Sequence, residues 1–161
     1  MEGSRPATAT DLPRVVELAR ALRDELAAQR GGASWLAHDA RAEPLADTYA
    51  ALLRRADTYT VVGTYTDAIV GFGVVVVDDT SQPPHGRITE LFVEADAREV
   101  GVGEAMLDAL VSRCRDAGCD GIDTTALPGH RAAKNFFETS GFTARLLVMH
   151  RRLDAEQGAG E

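Results

Sequence analysis

The sequence predicts an α/β protein in which a mixed sheet is covered by helices on both faces, and three observations lead there. First, runs of β-branched and aromatic residues alternate with segments whose apolar residues recur every three or four positions, in the order β-α-α-β-β-β-α-β-α-β. Second, a strand pattern through Ile88, Leu91 and Val93 runs into a glycine-rich turn, Arg98 to Gly103, that opens a helix pattern carrying Val102, Met106, Leu107, Leu110, Val111 and Cys114. Third, 161 residues, nearly half of them hydrophobic, suffice for one domain with a substantial core and are too few for two. One domain over residues 1–153 is expected, with residues 154–161, small and polar, as a flexible tail.

The elements follow in order. Arg5 to Thr8 reads as a short strand entering a helix capped by Thr10 or Asp11, with Pro13 in its first turn. Leu12, Val15, Val16, Ala19, Leu22 and Leu26 give that helix one buried stripe, and the pair Gly31-Gly32 ends it. A loop through Trp35 and His38 leads to Pro44, after which Leu45, Tyr49, Leu52 and Leu53 mark a second helix. Thr58 to Tyr65 and Ala68 to Val77 flank Asp67 as an antiparallel hairpin. Asp78 to Gly86, with two prolines, is a loop, followed by a strand from Arg87 to Glu94 and a helix from Gly101 to Ala117. A strand from Ile122 to Leu127, a helix from Arg131 to Ser140 closed by Gly141, and a last strand from Phe142 to Arg151 complete the chain.

Composition narrows the function classes. Seventeen Lys plus Arg against 25 Asp plus Glu leave a net charge of −8, which disfavours non-specific binding to nucleic acid or to an anionic membrane. An anionic ligand therefore needs a local basic site, which Arg98, Arg131 and Lys134 can supply, while the overall field suits a cationic acceptor such as an amine. The apolar runs are far short of a membrane span, and Met1 is followed by polar residues instead of a signal-peptide core, so a cytoplasmic protein is expected. Cys114 and Cys119 lack the spacing of a metal site and are read as reduced, structural thiols. His85 and His150 do not have ligand spacing either, and no metal is expected.

The turn carries the chemistry. A strand that stops at a glycine-rich turn opening a helix aims several backbone N–H groups at one point, where the helix dipole adds attraction for an anion. A missing Cβ lets a diphosphate approach the main chain. An ordinary turn or a helix-packing site is the competing reading of a bare Gly-x-Gly, whereas a dinucleotide fingerprint is excluded because position 106 is Met.

Together, Leu91-x-Val93 followed by Arg98-x-x-Gly101-x-Gly103 resembles the acyl-CoA signature of the GCN5-related N-acetyltransferases (GNATs). His130-x-x-Ala133-x-x-Phe136-Phe137-x-x-x-Gly141-Phe142 resembles the second signature of the same family, in family order and spacing. The resemblance implies a central, mostly antiparallel sheet with helices on both faces and a V-shaped splay at the acyl-CoA site. It also implies acetyl-CoA as acyl donor and an amine of a small molecule or peptide as acceptor, with pairing into a homodimer through the last strand or the hairpin edge. Donor contacts are then expected from Leu91, Phe92 and Val93 on the strand, from Arg98, Glu99, Val100, Gly101, Val102, Gly103 and Glu104 at the turn, and from His130, Ala133, Lys134 and Phe137 downstream. Trp35 and His38 fall in the segment that helps shape the acceptor pocket, the other reading of Trp35 being a core plug between the first two helices.

For catalysis, Glu90 on the cleft strand is the first candidate for general base and Glu94 the second, against the reading of Glu90 as a solvated or ion-paired strand residue. His130 is a candidate for proton transfer, or else a helix cap. Departures from the family pattern matter. Phe137 stands where a tyrosine usually protonates the departing thiolate, His130 stands for an asparagine, and Glu99 would repel a diphosphate unless it turns outward. General acid help is worth about 10²-fold to 10⁴-fold, yet a thiol with pKa near 8.5 already leaves readily. An N-acetyltransferase is thus the first expectation, and an acyl-CoA-binding regulatory module with little catalysis the alternative.

Overall fold

The computed structural model describes residues 1–153, and the tail expected at 154–161 lies outside the described residues. Contacts divide the chain into a compact unit of residues Met1–His130 and a smaller one that begins at Arg131.

In the first unit, β1 (Glu2–Pro6), β2 (Thr58–Tyr65), β3 (Ala68–Asp78), β4 (His85–Val93) and β5 (Ile122–Asp123) form one sheet in that order. The first three pairings are antiparallel, while β4 and β5 run parallel. Between β2 and β3 the turn residues Thr66 and Asp67 have φ of 48° and 68°, the two left-handed conformations of a type I′ hairpin turn. Helices α1 (Leu12–Ala27), α2 (Gly32–His38) and α3 (Leu45–Arg54) precede the hairpin, and α4 (Val102–Asp116) follows β4.

Side-chain alternation divides the core between two faces. Val15, Leu18, Ala19 and Leu22 of α1 and Leu45, Tyr49 and Leu52 of α3 pack with Val62, Phe72, Val74 and Phe92. Val61, Val75, Ile88, Val102, Met106, Leu107 and Leu110 are also buried, on the face that α4 covers. That face is held close by glycine: a β-carbon on Gly63 would stand 2.5 Å from Val102 and 2.8 Å from the Met106 sulfur, and one on Gly71 2.9 Å from Met106. One irregularity in β4 decides which residue looks where. Val74 pairs with Glu90 and Val75 with Ile88, so Thr89 is the extra residue of a β-bulge. Across it, Ile88 stays on the α4 face and Glu90 turns to the α1 and α3 face.

The structure departs from the expected elements in three places. Within the loop before Pro44, residues Gly32–His38 form α2, whose seven residues are too few to show a periodic stripe. Strand β5 holds two residues instead of six, because β4 and β5 pair only at Gly86 with Ile122 and Arg87 with Asp123 and then part. Where a strand was expected from Phe142 to Arg151, residues 143–153 enter no ladder, and Leu146, Leu147, Val148 and Met149 are 71% to 88% exposed. An apolar run expresses itself as a strand only where an edge supplies backbone partners.

The second unit contains α5 (Arg131–Thr139). Phe137 is its buried residue, edge-on to Phe136 and Phe142 at 5.3 Å each.

Candidate active site

The parting of β4 from β5 leaves one edge of β4 open. The Glu94 N–H donates to the Val70 carbonyl of β3, so the preceding residue, Val93, turns its N–H and C=O to the opposite edge, and Leu91 does the same two residues earlier. Beyond the Arg87–Asp123 pair, the Thr124 hydroxyl donates across this gap to the Ile88 carbonyl at 3.4 Å. A V-shaped opening thus begins at the root of β5, with the polar main chain of Leu91 and Val93 along one wall.

After β4 the chain makes a 3₁₀ turn at Ala95–Ala97 and enters the phosphate-turn candidate. Glu99 and Gly101 are both left-handed, with φ of 68° and 91°. Gly101 is the N-cap of α4, and the first helical bond runs from the Ala105 N–H to its carbonyl at 3.0 Å. The N–H groups of Val102, Gly103 and Glu104 precede that bond and lie at the positive end of the helix. Val102 is 1% exposed, which anchors the turn to the core, whereas Glu99, Val100 and Glu104 are exposed. The Glu2 side chain also reaches the turn, its Cγ 3.1 Å from where a β-carbon on Gly101 would sit.

Arg98, expected at the diphosphate, folds back over the strand. Its Nε donates to the Val93 carbonyl at 2.7 Å, its Nη2 to Glu25 of α1 at 2.8 Å, and its guanidinium lies 5.4 Å over the Phe92 ring. The other oxygen of Glu25 meets His130 Nε2 at 3.4 Å. Glu25 therefore draws together Arg98 of the first sequence signature and His130, which opens the second.

Glu90 is 7% exposed and fully engaged. Arg41 donates to both of its oxygens at 3.1 and 3.2 Å, and the Tyr49 hydroxyl donates at 2.5 Å. Burial, then the charge of Glu90 and its hydrogen bond, push the Tyr49 hydroxyl far above the ordinary tyrosine range, so it stays a donor. For Arg41, burial lowers the pKa, but the hydrogen bond and charge of Glu90 outweigh it and the net shift is upward. Glu94 pairs with Arg14 at 2.7 Å. Trp35 is half-buried on α2 and His38 exposed at its end. Ala133, Lys134 and Phe137 belong to α5, where Lys134 meets Glu138 at 3.2 Å. Among the described residues no group of three His, Cys, Asp or Glu side chains is placed to hold a metal.

Glu25, Arg41 and Tyr49 were not foreseen. Tyr49 fits the apolar stripe of α3, and its hydroxyl's partner lies 41 residues away. Arg41 sits in a loop without a motif, and Glu25 is one of many charged residues on α1. Two cavities, of about 230 Å³ beside Tyr59 and Arg113 and about 200 Å³ beside Cys114 and Cys119, lie away from the turn.

Comparison with known proteins bears on this geometry. The family model described as Acetyltransferase (GNAT) family matches residues 18–142. A mycothiol acetyltransferase of Propionibacterium freudenreichii subsp. shermanii is 32% identical over 75 residues, 47% of this chain and 24% of that protein, so the match spans about a quarter of the relative's length. A putative acetyltransferase from Agrobacterium tumefaciens shares the fold at a TM-score of 0.73 and 18% identity, over 93% of this chain and 99% of that one. AAC(6')-Iy in complex with a CoA bisubstrate analog gives 0.71 and 16%, over 94% and 99%. At these identities the two structures show a common fold.

Proposed function

Because the chain belongs to the GNAT acetyltransferase family, we propose that it moves an acetyl group from acetyl-CoA to a primary amine of a small molecule or peptide by direct transfer. The observation that carries this reading is the open edge of Leu91 and Val93 running into the left-handed turn at the N-terminus of α4. A pantetheine arm adds to such an edge as a strand would, and the turn amides receive the diphosphate. The family match spans both compact units, which supports reading residues 1–153 as one catalytic domain.

The reaction needs little from the protein beyond placement. A neutral amine attacks the thioester carbonyl, the N–C bond forms, the C–S bond breaks, and the amine's proton leaves as the thiolate departs. Alignment supplies much of the acceleration, and a main-chain N–H at the open edge polarises the carbonyl oxygen. Between the two side chains put forward for proton transfer, the contacts favour His130. Proton uptake by Glu90 would sacrifice its pair with half-buried Arg41 and its bond from Tyr49, so Glu90 serves better as the fixed anion that orients both. His130 beside Glu25 is the arrangement of a base with its orienting carboxylate. Trp35 and His38 are assigned to the acceptor side.

Thiol release from acetyl-CoA over a panel of amines tests the proposal. Turnover on at least one amine is expected, and CoA binding without turnover on any would leave the acyl-CoA-binding regulatory module. Phe137 favours that second reading, since a ring packed between Phe136 and Phe142 offers the thiolate no proton. F137Y separates the two: a rate gain of about tenfold or more marks an enzyme working without its acid, and silence in both forms marks a sensor.

A further inference from the structure

We infer that Glu25 is a positioning residue of the donor site, a latch that holds Arg98 on the Val93 carbonyl until an acyl-CoA diphosphate takes the guanidinium over. The inference rests on the donor-site reading above.

Three contacts define the latch. Arg98 Nε occupies the Val93 carbonyl, one of the main-chain groups on the open edge that an incoming pantetheine would use. Glu25 holds the far end of the same guanidinium at 2.8 Å, and Phe92 lies beneath it at 5.4 Å. The guanidinium is therefore neutralised and turned back along β4, while Glu99 and Glu104 stand exposed at the turn and Glu2 reaches Gly101. A diphosphate arriving at the α4 N-terminus offers Arg98 a stronger partner than a single partly buried carboxylate. Its transfer would free the Val93 carbonyl and release one oxygen of Glu25, whose other oxygen faces His130 at 3.4 Å. Glu25 then passes from a shared partner to one dedicated to His130, so donor binding and proton transfer are coupled through one side chain.

The geometry makes opposite demands on binding and on catalysis. E25Q removes the competitor for Arg98 and one negative charge near an anionic ligand, so calorimetry should find CoA bound about tenfold more tightly, the weight of one charge-assisted hydrogen bond at a half-exposed pair. The KM for acetyl-CoA should fall alongside, while kcat falls too because His130 loses its orienting carboxylate. A side chain that merely supports the fold would weaken binding and rate together. E25D keeps the charge, withdraws the carboxylate from Arg98, and should also tighten binding; it carries the test should E25Q fold poorly. In an R98A background E25Q should change nothing. Unchanged or weaker CoA binding in both Glu25 variants, or a gain that persists without Arg98, overturns the latch. Heat from wild type with no turnover on any amine would defeat the catalytic reading and leave the latch standing. No heat from wild type or either Glu25 variant would defeat both.

Discussion

At the scale of single residues, the centre of the first unit is a charge that the fold keeps. Glu90 is buried on the α1 and α3 face, yet it receives three donors, two from Arg41 and one from Tyr49, which is what a buried carboxylate requires. Tyr49 in turn lies edge-on to Phe72 at 5.7 Å, so the polar group is embedded in the apolar core. Removing the hydroxyl in Y49F should cost about 1–3 kcal/mol, the penalty for leaving a buried acceptor short of one bond. E90Q should cost more, about 2–4 kcal/mol, because it strands the charge of half-buried Arg41. Urea denaturation measures both. If Glu90 orients rather than accepts protons, kcat in E90Q should fall modestly and its pH profile keep the wild-type shape; disappearance of one limb of that profile would return the base role to Glu90.

At the scale of elements, the turn is placed by α4, and α4 is placed by glycines in the sheet beneath it. The first residue of the helix, Val102, sits where a β-carbon on Gly63 would come within 2.5 Å, and Met106 one turn later is as tightly held. G63A should therefore push the N-terminal turn of α4 outward, destabilise the protein by about 1–3 kcal/mol, and weaken CoA binding more than acceptor binding; calorimetry beside a thermal melt would show it, and unaltered donor affinity would refute the placement. These relations also explain what could be read in advance. Helices α1 and α3, the hairpin at Asp67 and the start of α4 were legible because each has a local signature: apolar residues every three or four positions, two strand patterns flanking a turn residue, a strand ending at Gly-x-Gly. The bulge at Thr89 was not, since it is defined by the register between β3 and β4; it puts Ile88 on the α4 face while Glu90 keeps with Phe92 on the side of Arg41 and Tyr49. Nor was the fate of Arg98, whose partners Val93 and Glu25 lie 5 and 73 residues away. The Phe142 to Arg151 segment misled for the converse reason, its residues being strand-prone while the ladder they need is a property of the whole sheet.

At the scale of the whole molecule, a chain of net charge −8 depends on pH through a few well-placed groups. Asp11 is 7% exposed; the hydrogen bonds of Arg5, opposed by burial and aided by Thr8, lower its pKa from 3.8 to about 2. Its contribution, on the order of 2 kcal/mol, is present above the unfolded value and is lost as pH falls from about 4 toward 2. His85 works in the other direction. Its Nδ1 meets Asp120 at 3.0 Å and its Nε2 meets Asp123 at 2.9 Å, with Asp78 opposite on β3 and Arg87 nearby on β4, and the two carboxylates raise its pKa. Below the unfolded value near 6.5 the imidazolium gives each carboxylate a charged donor and the stabilisation is complete; as pH rises through the raised folded value one of those donors disappears and the stabilisation goes with it. Thermal midpoints should thus be flattest between about pH 4 and 6.5, with the difference between wild type and D11N shrinking below that window and the difference between wild type and H85Q shrinking above it. The second limb reaches function, because His85 ties β4 to β5 at the root of the V-shaped opening, one residue before Gly86 pairs with Ile122. An amine acceptor becomes more reactive as pH rises while this clamp loosens, so wild type should outperform H85Q most below the unfolded imidazole value and converge with it as pH rises through the raised folded one. Equal donor KM in the two proteins across that range would detach the clamp from the cleft.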